Sequence, residues 1–507
     1  MRRNSSLVLV LAAAAAGAMA TGCAKQEAPA PAANVNAVQP TPVGGGKIPI
    51  TTASADAKAE FLQGRDLTEK LQITDSVPHF QKAVSLDPNF AWAELSLANS
   101  APTGKEFFEH LNKAVALAEK ASNGEKLLIL AAQDGANNDA VKQKEHLESL
   151  VAAYPDDERA HFNLGGYYFG QQDYTKAIDH YRKATAIAPE YSTAYNILGY
   201  AYRQSGDYAS AEKAFQKYIQ LIPKDPNPYD SYAELLLKMG RFDDSIAQYR
   251  KALEVNPNFV NAHQGIAMDL LYSGKAAEAE KELAEMAKKA RTDGEKRTAL
   301  FARTVVHLDG GQTAKALADV DERYAVGARS NDVPAMAGDR GLKGLILVEN
   351  GKADAAKKEF DAGLKLVQDS TLSQEVKDNA KLAHHYNMAR VALAKGDTAG
   401  AKKEADEFRQ GASTAKNPFT LKTSHELDGI IALAGKDYDK AIAELQQANP
   451  QNPLDTYRLC RAYAAKGDTA KAAEACSKAA EFNGLPNVNY AFIRVKAKAG
   501  VEGAKKS

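Results

Sequence analysis

The sequence has few of the residues that mark disulfide-rich or sheet-rich proteins, and it lacks a net charge. It has three cysteines and one tryptophan, and Lys plus Arg number 64, as do Asp plus Glu. The zero formal net charge excludes a global field that would attract nucleic acid, so we expect no nucleic-acid partner. Runs of β-branched residues are scarce and alanine is common, which favours helix over sheet. The composition therefore predicts an all-α protein.

Recognisable catalytic motifs are also lacking. The sequence has no G-x-S-x-G motif and no glycine fingerprint after a predicted strand. The string that begins at His425 lacks the second histidine of a zinc-binding H-E-x-x-H helix, and it falls on a repeat position shared with His161 and His263. The adjacent His384 and His385 would point about 100° apart on a helix. We therefore predict no enzymatic activity, no cofactor and no metal site.

The first 22 residues have the pattern of an export signal. Arg2 and Arg3 precede the apolar run 7–16, which is too short for a comfortable membrane span. The run leads to Ala20-Thr21-Gly22-Cys23, which resembles the lipobox of bacterial lipoproteins. That resemblance implies removal of residues 1–22 and lipidation of Cys23, which would attach the chain to a lipid bilayer. A plain secretory signal cleaved after Ala20 is the alternative.

The residues after the predicted acylation site indicate a tether and a location. Residues 23–55 are rich in Pro, Ala and Gly without apolar periodicity, so we expect a lipid anchor followed by a flexible spacer. Ala24 is not the Asp that commonly retains lipoproteins in the inner membrane. The lipoprotein resemblance therefore implies the bacterial outer membrane, with the folded part facing the periplasm.

A 34-residue period organises the middle of the chain. Pro155, Pro189, Pro223 and Pro257 fall at this interval. The segments 158–191, 192–225 and 226–259 share small residues at Gly165, Gly199 and Ala233 and at Ala177, Ala211 and Ser245, and large ones at Tyr181, Phe215 and Tyr249. Each segment has two helical patterns joined by a turn, and helical hairpins of this size must stack to bury their apolar faces.

These residues resemble the tetratricopeptide repeat (TPR) pattern. The resemblance implies an all-α, right-handed α-solenoid of about 11–12 antiparallel helix hairpins. We expect degenerate hairpins over 56–157, a regular array over 158–293, divergent hairpins over 294–500 and a disordered tail at 501–507. Looser spacing of the repeats also suggests a break in the solenoid or a change of its superhelical path near 325–340.

The remaining cysteines, Cys460 and Cys476, lie on the two predicted helices of one late hairpin. An even pair in an exported chain favours a disulfide, and two buried free thiols are the alternative.

The TPR resemblance implies a binding groove on the concave face, formed by the first helix of each hairpin, and a protein or peptide as its ligand. The candidate groove residues are Phe162, Phe169, Asn196, Tyr200, Arg203, Asp230, Glu234 and Leu237. The expected function is that of a non-enzymatic, membrane-anchored adaptor or assembly factor in the cell envelope. A glycan-binding or export-accessory lipoprotein is the alternative, against which the single Trp92 argues mildly.

Overall fold

The computed structural model describes residues 46–414 and 420–504. The predicted export signal, Cys23 and most of the predicted tether lie outside the described residues. Within the described ranges, the regular secondary structure consists of 25 α-helices and one 3₁₀ turn, Ala118–Lys120. The prediction of an all-α fold is therefore confirmed.

The first 24 helices pair into twelve antiparallel hairpins, each packed on the next. Hairpins 1–3 are α1 (Ala55–Glu69), α2 (Ile73–Leu86), α3 (Ala91–Ser100), α4 (Gly104–Leu117), α5 (Asn123–Ala136) and α6 (Ala140–Ala153). Hairpins 4–7 are α7 (Glu158–Gly170), α8 (Tyr174–Ile187), α9 (Ser192–Ser205), α10 (Tyr208–Leu221), α11 (Asn227–Lys238), α12 (Phe242–Val255), α13 (Val260–Tyr272) and α14 (Ala276–Lys289). Hairpins 8–12 are α15 (Asp293–Asp309), α16 (Thr313–Arg329), α17 (Val333–Glu349), α18 (Ala353–Gln368), α19 (Gln374–Ala394), α20 (Thr398–Thr414), α21 (Leu421–Ala434), α22 (Tyr438–Leu445), α23 (Pro453–Lys466) and α24 (Thr469–Ala480). The last helix is α25 (Val488–Ala504).

In several hairpins, a small residue on the first helix packs against a large residue on the second helix, sixteen positions later in the sequence. A Cβ added to Gly165 would lie 2.8 Å from the Tyr181 ring, and one added to Gly199 would lie 2.7 Å from Phe215. The same relation joins further pairs outside the regular array: Gly64 with Phe80, Gly344 with Phe360 and Gly429 with Leu445. The packing rule of the regular repeats therefore extends into hairpins whose sequences have diverged.

Of the two expectations for residues 325–340, the break is wrong, and the change of superhelical path stays a prediction. Helix α16 ends at Arg329, α17 begins at Val333, and the two helices pack directly. The spacing of the turns loosens because the helices of hairpins 8–10 have 16 to 21 residues, whereas those of hairpins 4–7 have 12 to 14. The longer repeats change the period without interrupting the stack.

Two predicted boundaries also require correction. Residues 47–54, which the sequence assigned to the tether, pack on the folded body: Ile48 is buried, and its amide donates to Asp157 at 2.8 Å. Residues 501–504 of the predicted tail belong to α25, where Val501 packs beside Cys460 and Cys476, and residues 505–507 lie outside the described residues.

The solenoid folds back on itself at several places. The Gly104 amide donates to Asp332 at 3.3 Å, and the Lys422 ammonium donates to Gln172 at 2.8 Å. Helix α4 packs on α17, so hairpin 2 contacts hairpin 9. Helix α25 packs on α15, α23 and α24, which closes hairpins 8–12 into a ring of successive contacts. The inner face of the array is therefore partly covered by the chain itself.

Candidate functional site

The eight predicted groove residues lie on the first helices α7, α9 and α11, where the sequence placed them. Asn196, Asp230, Glu234 and Leu237 are buried, each with 4% or less of its surface exposed. Phe162, Phe169, Tyr200 and Arg203 are half-buried. Only the second set therefore has surface left to offer a ligand, and ligand binding at all eight stays a prediction.

Hairpin 1 covers one end of this inner face. The Glu69 carboxylate, at the end of α1, accepts from the Arg159 Nε at 2.9 Å, and the Glu69 carbonyl accepts from the Thr193 hydroxyl. The Gln72 amide donates to Asp225 at 2.6 Å. These contacts reach the beginnings of α7 and α9 and the loop before α11.

The C-terminal segment covers the other end. The Lys238 ammonium donates to the Phe482 carbonyl at 2.5 Å and lies 4.5 Å from the centre of its ring, while burial lowers the pKa of Lys238 to about 8. The Tyr272 hydroxyl donates to the Gly484 carbonyl at 2.9 Å. Helix α13, between these contacts, is buried along its whole length. A peptide therefore cannot run along hairpins 6 and 7 unless residues 482–494 move.

A mixed patch remains between the two covered ends, and we call Phe162, Phe169, Tyr200 and Arg203 the inner patch. The Arg203 guanidinium lies 4.6 Å from the centre of the Tyr200 ring and donates to the Glu234 carboxylate at 3.3 Å. Phe162 packs 5.4 Å from the Tyr191 ring of the next hairpin, so part of its surface serves packing between hairpins. The patch combines aromatic surface with one guanidinium held in place by a buried carboxylate.

Cys460 and Cys476 form a disulfide, with their Cα atoms 5.1 Å apart. Cys460 precedes the Asp468 N-cap of α24 by the same eight positions that separate Gly165 from the Asp173 N-cap of α8. The disulfide thus occupies the position of the small–large pair in hairpin 12.

The histidines have structural partners. Seven have Nδ1 between 2.5 and 2.8 Å from a carboxylate of another helix: His79, His110, His146, His263, His307, His385 and His425. His384 contacts Asp361 through Nε2, while His161 and His180 contact each other. His425 pairs with Glu444 as His263 pairs with Glu282, which agrees with a structural role. Sequence reasoning missed these partners, although several of them lie nineteen positions after the histidine.

Three further properties of the described residues concern membrane spanning, metal binding and aromatic stacking on sugars. Within 46–414 and 420–504, no helix is both long and apolar enough to cross a bilayer. The same ranges hold no group of three or more His, Cys, Asp or Glu side chains placed to bind a metal ion. Trp92 is buried, 5.4 Å from the Phe61 ring, so it does not form an exposed stacking platform.

Residues 156–224 and 227–259 each match a family model of the tetratricopeptide repeat. Among solved structures, the chain is similar to a tetratricopeptide repeat protein from Parabacteroides merdae, at 15% identity and a TM-score of 0.35, over 56% of this chain and 99% of that one. It is also similar to a thermophilic TPR protein of Thermus thermophilus, at 20% identity and a TM-score of 0.29, over 42% and 99% of the two chains. A third similar structure is that of MamA from Desulfovibrio magneticus RS-1, at 13% identity and a TM-score of 0.29, over 33% of this chain and 96% of that one. No curated protein matches this sequence.

Proposed function

The chain is a tetratricopeptide repeat protein, and we propose that it is a lipid-anchored, non-enzymatic scaffold that binds a protein or peptide partner in the bacterial cell envelope. The observation that carries the proposal is the match of the central hairpins to TPR models. Arrays of this family generally present surfaces for protein–protein interaction. The adaptor or assembly role follows from that general property.

The inner patch is our candidate for the contact with the partner. Aromatic and arginine side chains contribute much of the binding energy in protein interfaces, and Tyr200 and Arg203 are both half-buried and fixed by neighbours. Because hairpin 1 and residues 482–494 cover the two ends of the inner face, we expect the partner to present a short segment or a protruding loop. A long peptide that follows the whole superhelix does not fit this arrangement.

Site-specific photocrosslinking in intact cells tests the partner contact. Benzoylphenylalanine in place of Tyr200 should yield a defined protein adduct, and the adduct should be lost when Arg203→Glu is added. The same crosslinker in place of Lys183, exposed on α8, is the matched control and should not yield that adduct. Equal adducts from both positions would contradict the contact, and adducts of sugars alone would favour the glycan-binding alternative.

The anchor is a separate part of the proposal. Acylation of Cys23 would hold the body at the outer membrane, facing the periplasm, and the Cys460–Cys476 disulfide supports an oxidising compartment. Cell fractionation should find the native chain in outer-membrane fractions and a Cys23→Ser variant in the soluble periplasmic fraction. A native chain that is soluble after lysis, or a Cys23→Ser variant that stays in the membrane, would contradict acylation at this residue.

A further inference from the structure

A half-open cavity of about 770 Å³, which we call the chamber, lies between hairpins 2 and 3 and the ring formed by hairpins 8–12 and α25. Its apolar wall includes Phe107, Phe301, Leu345, Phe360, Leu364 and Val376. Phe107 belongs to hairpin 2, which packs against the ring through α4 and α17. The volume lies within the range typical of sites for small organic ligands, about 300–1,000 Å³.

Two glycines leave part of the chamber empty. A Cβ added to Gly338 or Gly341 would meet no atom within 4 Å, although both residues lie inside α17. Gly344 of the same helix differs, because its added Cβ would lie 2.5 Å from the Phe360 ring. Glycine destabilises a helix interior relative to alanine. Packing therefore accounts for Gly344, whereas no neighbouring atom accounts for Gly338 and Gly341, which line the chamber.

One side of the chamber is polar and carries little net charge. The Arg390 guanidinium, 8% exposed, donates to Glu349 at 2.8 Å, and Arg458 donates to Glu426 at 2.8 Å. Each guanidinium thus has a carboxylate beside it. Neutral amide side chains also line the chamber: Asn99 and Gln143 from hairpins 2 and 3, and Asn387, Asn487 and Asn489 from the ring. Such a wall suits hydrogen bonding to an uncharged polar group, because a further buried charge would have no counter-ion.

A second cavity adjoins the chamber. This cleft, also of about 770 Å³, shares Phe108, Pro334 and Leu372 with the chamber wall. Its other walls carry both signs of charge, including Lys105 and Asp369.

We propose that the chamber binds a long ester-linked acyl chain whose polar end is uncharged. The acyl chain lies among the phenylalanine and leucine side chains, beside Gly338 and Gly341. The ester and its neighbouring hydroxyl groups hydrogen-bond to the amides near Asn387. This site is distinct from the inner patch, so the proposal does not rest on partner binding there.

Displacement of a dye from the purified full chain carrying Cys23→Ser tests the proposal. The dye 1-N-phenylnaphthylamine should fluoresce when bound, and monopalmitoylglycerol should displace it at concentrations about tenfold lower than palmitate, because palmitate would bury a carboxylate. Lysophosphatidylcholine forms a third arm: its charged headgroup should make it a poorer competitor than monopalmitoylglycerol, and equal or better displacement would overturn the uncharged polar end. Failure of monopalmitoylglycerol to displace the dye, or a preference for palmitate, would overturn the proposal.

Variants locate the site without unfolding the ring. Gly338→Leu and Gly341→Leu should each weaken dye binding about tenfold or more while the melting temperature holds, because the new side chains fill space that is already empty. Gly170→Leu, also in open space but on α7, is the matched control and should bind dye normally. Asn387→Leu should weaken monopalmitoylglycerol about three- to tenfold and leave the dye unaffected. Unchanged dye binding in both chamber glycine variants would place the ligand elsewhere and overturn the proposal.

Discussion

In hairpin 4, two histidine side chains face each other across the two helices. His161 of α7 and His180 of α8 bring their Nδ1 atoms to 3.1 Å, where other hairpins place a histidine against a carboxylate. Burial, aided by the neighbouring imidazole, lowers the pKa of His180 to about 4, and burial also lowers the pKa of His161. The folded state therefore favours the neutral form of both rings.

Replacement of His180 should flatten the acid dependence of stability. An unfolded histidine titrates near 6.5, so the unfolded chain binds more protons than the folded one between about pH 6.5 and 4, and stability falls as pH falls through that window. The native chain should lose free energy of unfolding as the pH falls from about 6.5 to 4. In His180→Asn, we expect this loss to be smaller by about 1–2 kcal/mol, a figure that allows for solvent screening of a half-exposed ring.

Urea unfolding at a series of pH values measures this difference. His425→Asn, in which the lost ring faces Glu444 instead of a second histidine, is the matched control. A His180→Asn curve parallel to that of the native chain would contradict the account.

At the scale of the hairpin, the packing of a small residue on the first helix against a residue sixteen positions later on the second recurs with different residue types. It appears as glycine against an aromatic ring in hairpins 1, 4, 5 and 9, and as glycine against Leu445 in hairpin 11. Hairpin 12 replaces both partners with the disulfide. In each case the first helix supplies little bulk, so that the second can approach closely.

Gly344 and Gly338 provide a matched pair on one helix. Gly344→Ala should lower the free energy of unfolding by about 1–3 kcal/mol, because its Cβ would overlap the buried Phe360 ring. Gly338→Ala should raise it by about 0.5–1 kcal/mol, because the new methyl group meets open space and helix propensity improves. Chemical denaturation compares the two, and equal effects of the same sign would refute the packing rule.

The disulfide should stabilise hairpin 12 to a measurable degree. It closes a loop between residues sixteen positions apart, for which chain entropy predicts about 3 kcal/mol. Cys460→Ser with Cys476→Ser should therefore unfold at lower urea concentration, and reductant should shift the native chain but not the double variant. Thiol titration of the denatured, unreduced chain should find both cysteines blocked; two reactive thiols there would exclude the bridge.

The sequence predicted the hairpins because their signals are local. The four prolines at one interval and the pairs such as Gly165 with Tyr181 lie within single repeats, so the family and fold could be inferred. The contacts that cover the inner face join residues far apart, as Glu69 meets Thr193 and Tyr272 meets Gly484. No local pattern marks such pairs. The candidate groove residues therefore lie on the first helices, as the sequence predicted, but the burial of half of them could not be foreseen.

At the scale of the whole molecule, α25 closes the ring through a buried ion pair. Arg494 donates through Nε and Nη2 to the Asp309 carboxylate at 2.6 and 2.5 Å, and both side chains are at least nine-tenths buried. Arg494→Leu alone should cost about 3–5 kcal/mol, because it leaves the Asp309 charge buried without a partner.

A double-mutant cycle separates the pair from its surroundings. Asp309→Leu combined with Arg494→Leu should recover most of the stability lost in either single variant, since an apolar pair of similar volume replaces the ions. Hydrogen exchange of α25 should rise in the single variants and return towards the native rate in the double one. Strictly additive losses would mean that the pair does not couple α25 to α15.

Small-angle X-ray scattering tests most directly the central claim that twelve hairpins fold back on themselves. A compact body of this size predicts a radius of gyration of about 25 Å, with a small allowance for the N-terminal residues. An open stack of twelve hairpins, spaced by about 10 Å, would be a curved rod with a radius of gyration near 35 Å. A value of about 25 Å is the predicted result, and a value near 35 Å would contradict the closed ring, the covered inner face and the chamber together.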